Sequence, residues 1–107
     1  MAQYKSTTQS AATMTLSETE LGWNPSRYEA HTLSYHGGGA NTATVYGYPL
    51  GTSTQKIEII TLENQDGITV PTDSGPWGKF EISFSDAAGT TATVYMTSKS
   101  SSAAGDR

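Results

Sequence analysis

The pentapeptide Thr42-Ala43-Thr44-Val45-Tyr46 returns, residue for residue, as Thr91-Ala92-Thr93-Val94-Tyr95, an offset of 49. Sliding the chain on itself by that offset, without a gap, also aligns His31, Leu33, Ser34 and Tyr35 with Phe80, Ile82, Ser83 and Phe84, and brings Tyr28 onto Trp77. In each copy a strand, a short glycine-containing loop and a second strand follow one another, so the repeat reads as a β-hairpin used twice, residues 28–46 and 77–95. The bland alternative is a good strand sequence arising twice in a Thr-rich chain. Alternation along each first strand sets His31, Leu33 and Tyr35, or Phe80, Ile82 and Phe84, on one face, and these sets are expected to form the core.

The same period of two extends outward. Short runs rich in Thr, Val, Ile and Tyr predict strands at Ala12–Leu16, Glu29–Tyr35, Asn41–Tyr48, Gln55–Leu62, Ile68–Val70, Lys79–Ser85 and Thr90–Thr97. Reversals fall at Gly37–Ala40, Gly51–Thr54, Asp66-Gly67 and Asp86–Gly89. Ser17-Glu18-Thr19-Glu20 fits a capping box, but Gly22 and Asn24-Pro25 limit the helix to about a turn. About seven short strands at near-regular spacing predict an all-β fold, a small sandwich or jelly-roll-like barrel.

At 107 residues the chain reads as one β domain. Its core is expected at about 12–97, between a mobile N-terminal arm, about 1–11, and a mobile tail, 98–107. With 13 Ser, 17 Thr and only 15 Leu, Ile, Val and Phe, that core is thin, a shortage that oligomerisation or docking commonly offsets. A net charge of -4 supplies no basic stripe for nucleic acid and no polybasic membrane patch. The absence of cysteine excludes a disulfide framework, a Cys-based zinc site and a thiol nucleophile. No apolar leader opens the chain and no window approaches a spanning helix, so synthesis in the cytoplasm is expected.

Candidate chemistry is sparse. His36-Gly37-Gly38-Gly39 has the letters of an oxyanion segment but no Gly-x-Ser-x-Gly elbow accompanies it, and it reads better as a hairpin loop. His31 and His36 are an odd number of positions apart and face opposite ways on a strand, which forbids a shared metal. His31, standing where the repeat has Phe80, is expected to pack as an aromatic. Glu18 with Glu20, and Glu58 with Glu63, lack the setting that splits two carboxylates into acid and base. The Glu63–Gly67 loop is rich in oxygen but lacks calcium-loop spacing. Trp23, Tyr28, Tyr48 and Trp77 could stack on sugars, yet such residues more often plug the end of a small sandwich. No catalytic, cofactor-binding or metal-binding residue is therefore assigned, and no enzymatic activity or cofactor is expected.

A short cysteine-free β protein rich in Thr, Ser and Gly, carrying Trp77-Gly-Lys-Phe-Glu-Ile-Ser-Phe84 and Thr91-Ala-Thr-Val-Tyr95, resembles the small virion structural proteins of tailed bacteriophages. Within that group it looks most like capsid decoration or cement proteins. The resemblance implies a β-sandwich or jelly-roll-like fold, a virion location, a symmetric homo-oligomer, a trimer by preference, and the major capsid protein or another virion component as partner. A carbohydrate-binding module is the alternative reading.

Overall fold

The computed structural model describes residues 2–50, 54–70, 76–86 and 92–99. Eight strands run in chain order: β1 Ala2–Thr8, β2 Thr13–Leu16, β3 Ala30–His36, β4 Ala43–Pro49, β5 Ile57–Leu62, β6 Asp66–Val70, β7 Trp77–Phe84 and β8 Thr93–Lys99. Between β2 and β3 lie a single helical turn, α1 Glu18–Leu21, and a 3-10 turn at Pro25–Arg27. Gly22 closes α1 in the left-handed conformation at φ 89°, where a side chain would be strained.

The strands form two antiparallel four-stranded sheets, one ordered β1-β8-β3-β6 and the other β2-β7-β4-β5. Four of the pairings, β1·β8, β2·β7, β3·β6 and β4·β5, are those of one long hairpin doubled back at the β4–β5 connection. Rolling that hairpin up adds the remaining two, β3·β8 and β4·β7, and closes the chain into a jelly roll.

The all-β sandwich expected from the sequence is present, with three differences, the smallest being that Asp66-Gly67, expected as a reversal, opens β6, the turn falling just before it with Gln65 at φ 70°. First, the repeated units are not hairpins. β3 and β4 lie in different sheets, as do β7 and β8, and each unit's first strand pairs with the other unit's second. The loops are too short to discriminate a hairpin from a corner that changes sheets; what decides is that both strands of each unit bury an apolar face, which two facing sheets satisfy at once. The repeat thereby becomes a pseudo-two-fold relation. Equivalent residues meet across it: the His31 and Phe80 rings are 5.0 Å apart in an edge-on contact, and Tyr35 and Phe84 lie at 5.9 Å. The relation is offset along the strands, for Leu33 stands opposite Met96 while its equivalent Ile82 stands opposite Val45 rather than Gly47. This even slip of two residues leaves every side chain on its proper face.

Second, residues 2–8, expected as part of a loose arm, form edge strand β1 along the whole of β8. Its side chains are mostly exposed, which is why apolar alternation did not mark it; the ladder, rather than burial, holds it. Ser98 and Lys99, expected in the tail, complete β8, and Ser98 is fully buried. The rest of that tail, 100–107, lies outside the described residues, as do most of the expected Asp86–Gly89 and Gly51–Thr54 reversals.

Leu16, Leu33, Tyr35, Val45, Leu62, Val70, Phe80, Ile82, Val94 and Met96 fill the space between the sheets. One end of the sandwich is closed by Leu21, Trp23, Pro25 and Trp77. The other is closed by amides. The buried Asn41 donates to Gln9 Oε1 at 3.0 Å and accepts from Ser85 Oγ at 2.7 Å and from the Asp86 N–H at 2.8 Å. Gln9 Nε2 in turn donates to the Asp86 carbonyl at 2.6 Å.

Candidate functional site

Strand alternation and packing decide which of the sequence candidates can reach a ligand. His31 is 1% exposed, its Nδ1 within 2.8 Å of Ser98 Oγ. Burial drives its pKa down to about 4, against a smaller opposing pull from the Tyr28 backbone, so at neutral pH the ring is an uncharged core aromatic. His36 faces the opposite way, as the odd spacing requires; its Nε2 lies 3.2 Å from Ser34 Oγ and its ring stands edge-on to Tyr95 at 5.2 Å.

The glycines after His36 form a turn and not an oxyanion cradle. The Gly37 N–H is taken by Asn64 Oδ1 at 2.8 Å, and Gly38 lies so close over Tyr35 that a Cβ there would collide with the ring and hydroxyl. Oxygens of the Glu63–Gly67 segment serve the chain's own turn: Asp66 Oδ2 accepts from the Glu63 N–H at 3.0 Å. Glu20 is bound by the Ser17 hydroxyl and N–H, which hold its carboxyl below the usual range. Glu18, Glu58 and Glu63 stand exposed. Among the described residues no group of three His, Cys, Asp or Glu side chains gathers where a metal could bind.

Trp23 and Trp77 belong to the core, and Tyr28 is half-buried with its hydroxyl accepting from Gln3 Nε2 at 3.1 Å. Tyr48 sits in a polar cluster on the outer face of the second sheet. Its hydroxyl donates to Glu81 Oε1 at 2.9 Å, Lys56 Nζ bonds Glu81 Oε2 at 2.7 Å, and Lys79 and Lys56 lie over the Tyr48 and Tyr46 rings at 4.5 and 4.4 Å. The Lys56 ammonium holds Glu81 below its ordinary pKa, while Glu81 pushes the Tyr48 phenol up. The cluster sets two ammonium groups against one carboxylate, both of whose oxygens are engaged within it.

What the sequence reading missed are the aromatics that do face outward. Tyr4 is 81% exposed and Tyr95 49%. They lie diagonally across the β1·β8 pair, since Tyr4 is opposite Thr97 and Ser6 opposite Tyr95. Between them runs a groove of about 390 Å³ whose walls include Ser6 and Thr97. Around it the outer face of the first sheet carries hydroxyls in rows, Thr32 and Thr69 being 3.0 Å apart. The outward positions of its four strands, Ala2 to Thr8, Ala30 to His36, Gly67 and Thr69, and Thr93 to Lys99, include no carboxylate. The signal for Tyr95 was legible: Val94 and Met96 alternate inward around it. For Tyr4 there was none, because its strand has no buried apolar neighbour.

By fold, the chain is similar to the Yersinia pseudotuberculosis-derived mitogen, with a TM-score of 0.54 and 12% identity over 94% of this chain and 87% of that one. It is equally similar to the SPBc2 prophage-derived protein YomS, with a TM-score of 0.54 and 10% identity over 92% of this chain and 94% of that one. The likeness is one of fold. No protein-family model and no curated protein sequence matches the chain.

Proposed function

We propose that the chain is a non-enzymatic structural protein of a virus particle, of the capsid decoration or cement kind. It attaches as a symmetric homo-oligomer, a trimer, to the major capsid protein. The observation that carries this reading is the outer face of the first sheet: a broad, carboxylate-free surface of hydroxyls with Tyr4 and Tyr95 standing out of it, on a chain whose net charge is -4. Such a face suits an extended protein contact, in which exposed tyrosines supply area and hydroxyls supply adaptable hydrogen bonds. Many copies multiply a weak contact by avidity, so a deep pocket is not needed. The jelly-roll fold, and its likeness to a prophage-derived protein, agree with a virion role. The resemblance of Trp77–Phe84 and Thr91–Tyr95 to phage structural β proteins supports it further.

Native mass measurement of the chain with and without a candidate shell tests the proposal. Stoichiometric addition to the shell, weakened by Tyr4→Ala and Tyr95→Ala, is expected. A chain that stays monomeric and is absent from purified particles overturns it.

A carbohydrate-binding role is the second reading, favoured by the groove between Tyr4 and Tyr95. It requires saturable quenching of tyrosine fluorescence by a sugar. Trp23 and Trp77, two of the four sequence candidates for stacking, are buried and would not contribute.

A further inference from the structure

The edge of a sheet presents a row of N–H and C=O groups that recruits another strand unless it is kept short, bulged or otherwise blunted. Among the described residues the two sheets have four edge strands. β2 and β6 are short, four and five residues, and β5 is bulged at Ile59, between the partners of Val45 and Tyr46. β1 alone is long and regular: seven residues without proline, in unbroken register with β8 over their whole length. Tyr4, 81% exposed, stands near its middle.

The ladder shows which groups of β1 are open. The Gln9 N–H donates to the Ala92 carbonyl at 2.9 Å, continuing the β1·β8 register. Antiparallel alternation then turns the backbones of Thr7, Lys5 and Gln3 toward β8, and those of Thr8, Ser6, Tyr4 and Ala2 toward the free edge. Side chains alternate as well, so Ala2, Tyr4, Ser6 and Thr8 share the outer face of the sheet while Gln3 and Lys5 share the inner one.

A strand laid on this edge must turn its own open groups to these four residues. A second β1, antiparallel and related by a two-fold axis, does so whenever even-numbered positions meet. The registers differ in what they set opposite. In full overlap, Ala2 against Thr8, Lys5 would meet its own copy, a destabilising arrangement. Slid so that Ser6 meets its copy, the strands leave Tyr4 against Thr8. Slid the other way, Tyr4 meets its copy, Ser6 meets Ala2 and Lys5 meets Gln3. Directly opposed aromatic residues are among the favourable cross-strand pairs, and the small side chains of Ala2 and Ser6 beside them leave room for the rings. Gln3 donates its Nε2 to the Tyr28 hydroxyl at 3.1 Å, which leaves its amide oxygen to accept from Lys5 of the other copy.

We infer that two copies of this chain join edge to edge through β1, antiparallel about a two-fold axis at Tyr4. About six backbone hydrogen bonds cross the joint, and the two four-stranded first sheets become one continuous sheet. Its outer face gathers Tyr4 and Tyr95 of both copies, so the surface proposed to meet a shell is enlarged and not hidden. The contact is isologous and therefore pairs chains. It goes beyond the proposed trimer, whose three-fold contact is a different one, and ties one trimer to its neighbour. The opposite margin, where β5 packs beside β6, stays clear of the joint.

Because the axis sets position 4 against itself, charges placed there test it directly. Native mass spectrometry and light scattering of the full chain are expected to show even-numbered species. Tyr4→Lys and Tyr4→Glu are each expected to raise the dissociation midpoint about tenfold or more, and mixing the two variants to restore assembly. Far-ultraviolet circular dichroism is expected to show both folded, since the replaced side chain is exposed. Ser6→Pro removes an edge N–H without touching the β1·β8 bonds and is expected to abolish the pairing; if it fails to fold, the charged variants still decide the matter. Variants that assemble like the wild type, or that stay apart when mixed, overturn the joint. A wild-type chain that is monomeric at every concentration, or trimeric and nothing larger, overturns it too, while stoichiometric addition of that species to a shell would leave the decoration role standing. Even-numbered assembly that never adds to a shell upholds the joint and overturns that role.

Discussion

His31 couples stability to acidity. Its ring is buried against Phe80 with a pKa of about 4, whereas the unfolded chain returns it to its ordinary 6.5. The unfolded state therefore binds the extra proton in that interval, and stability is full above 6.5 and falls as the pH drops toward 4, by up to about 3 kcal/mol. Urea unfolding across that range should show the loss. His31→Phe, which copies the equivalent Phe80, should flatten this part of the profile and cost about 1 kcal/mol at neutral pH by leaving Ser98 Oγ without its ring partner. Tyr35 offers the opposite case. Its hydroxyl is buried with no hydrogen-bond partner among the described residues, and its repeat equivalent is Phe84. Tyr35→Phe is expected to be neutral or to stabilise by about 1 kcal/mol, read from the urea midpoint. Phe84→Ala, by contrast, empties a packed site in a thin core and should cost about 3 to 5 kcal/mol. Both histidine and phenylalanine positions were legible from the repeat, because burial follows alternation. The unmet hydroxyl of Tyr35 was not, since only the packed surroundings show whether a partner is in reach.

At the scale of elements, the corner built on Asn41 holds together the chain entering β2, the chain entering β4 and the chain leaving β7. Asn41→Ala removes the donor to the amide oxygen of the buried Gln9, at about 1 to 3 kcal/mol, and one acceptor of the Asp86 N–H at the exposed rim of the corner. A fall in the urea midpoint of that order, with an unchanged slope, is the expected result; no change would show that water replaces the amide. β1 supplies a second test. Because residues 2–8 form a ladder with β8 and do not hang free, deleting them should strip one side of β8 and lower the melting temperature, where a true arm would leave it unaltered. Seven of the eight strands were readable within a few residues, β1 being the exception. Ser17 and Gly22 bounded the single helical turn as their capping chemistry requires. Which strands pair was not readable, because a strand's pattern says that a face must be covered and not by which neighbour.

The whole molecule is a long hairpin rolled on itself, and every strand pairing except β4·β5 joins distant segments of the chain. Such topologies fold slowly for their size, on the order of milliseconds to seconds, because loop closure precedes the contacts that offset it. Stopped-flow refolding in this range, with Phe84→Ala slowing folding if the His31–Phe80 and Tyr35–Phe84 contacts assemble early, is expected; microsecond folding would contradict the topology. Length, charge, lack of cysteine, the period-two pattern and the repeat by themselves determined an all-β chain, its core face and the equivalence of His31 with Phe80 and of Tyr35 with Phe84. These are local or compositional properties, and the sequence states them directly. The tertiary structure alone decided that the repeat spans two sheets, that residues 2–8 join the fold and that Tyr4 faces outward beside Tyr95. The reason is that exposure belongs to a surface made by many segments together: the same aromatic residue is core or contact according to what packs over it, and that is settled only when the distant strands have met.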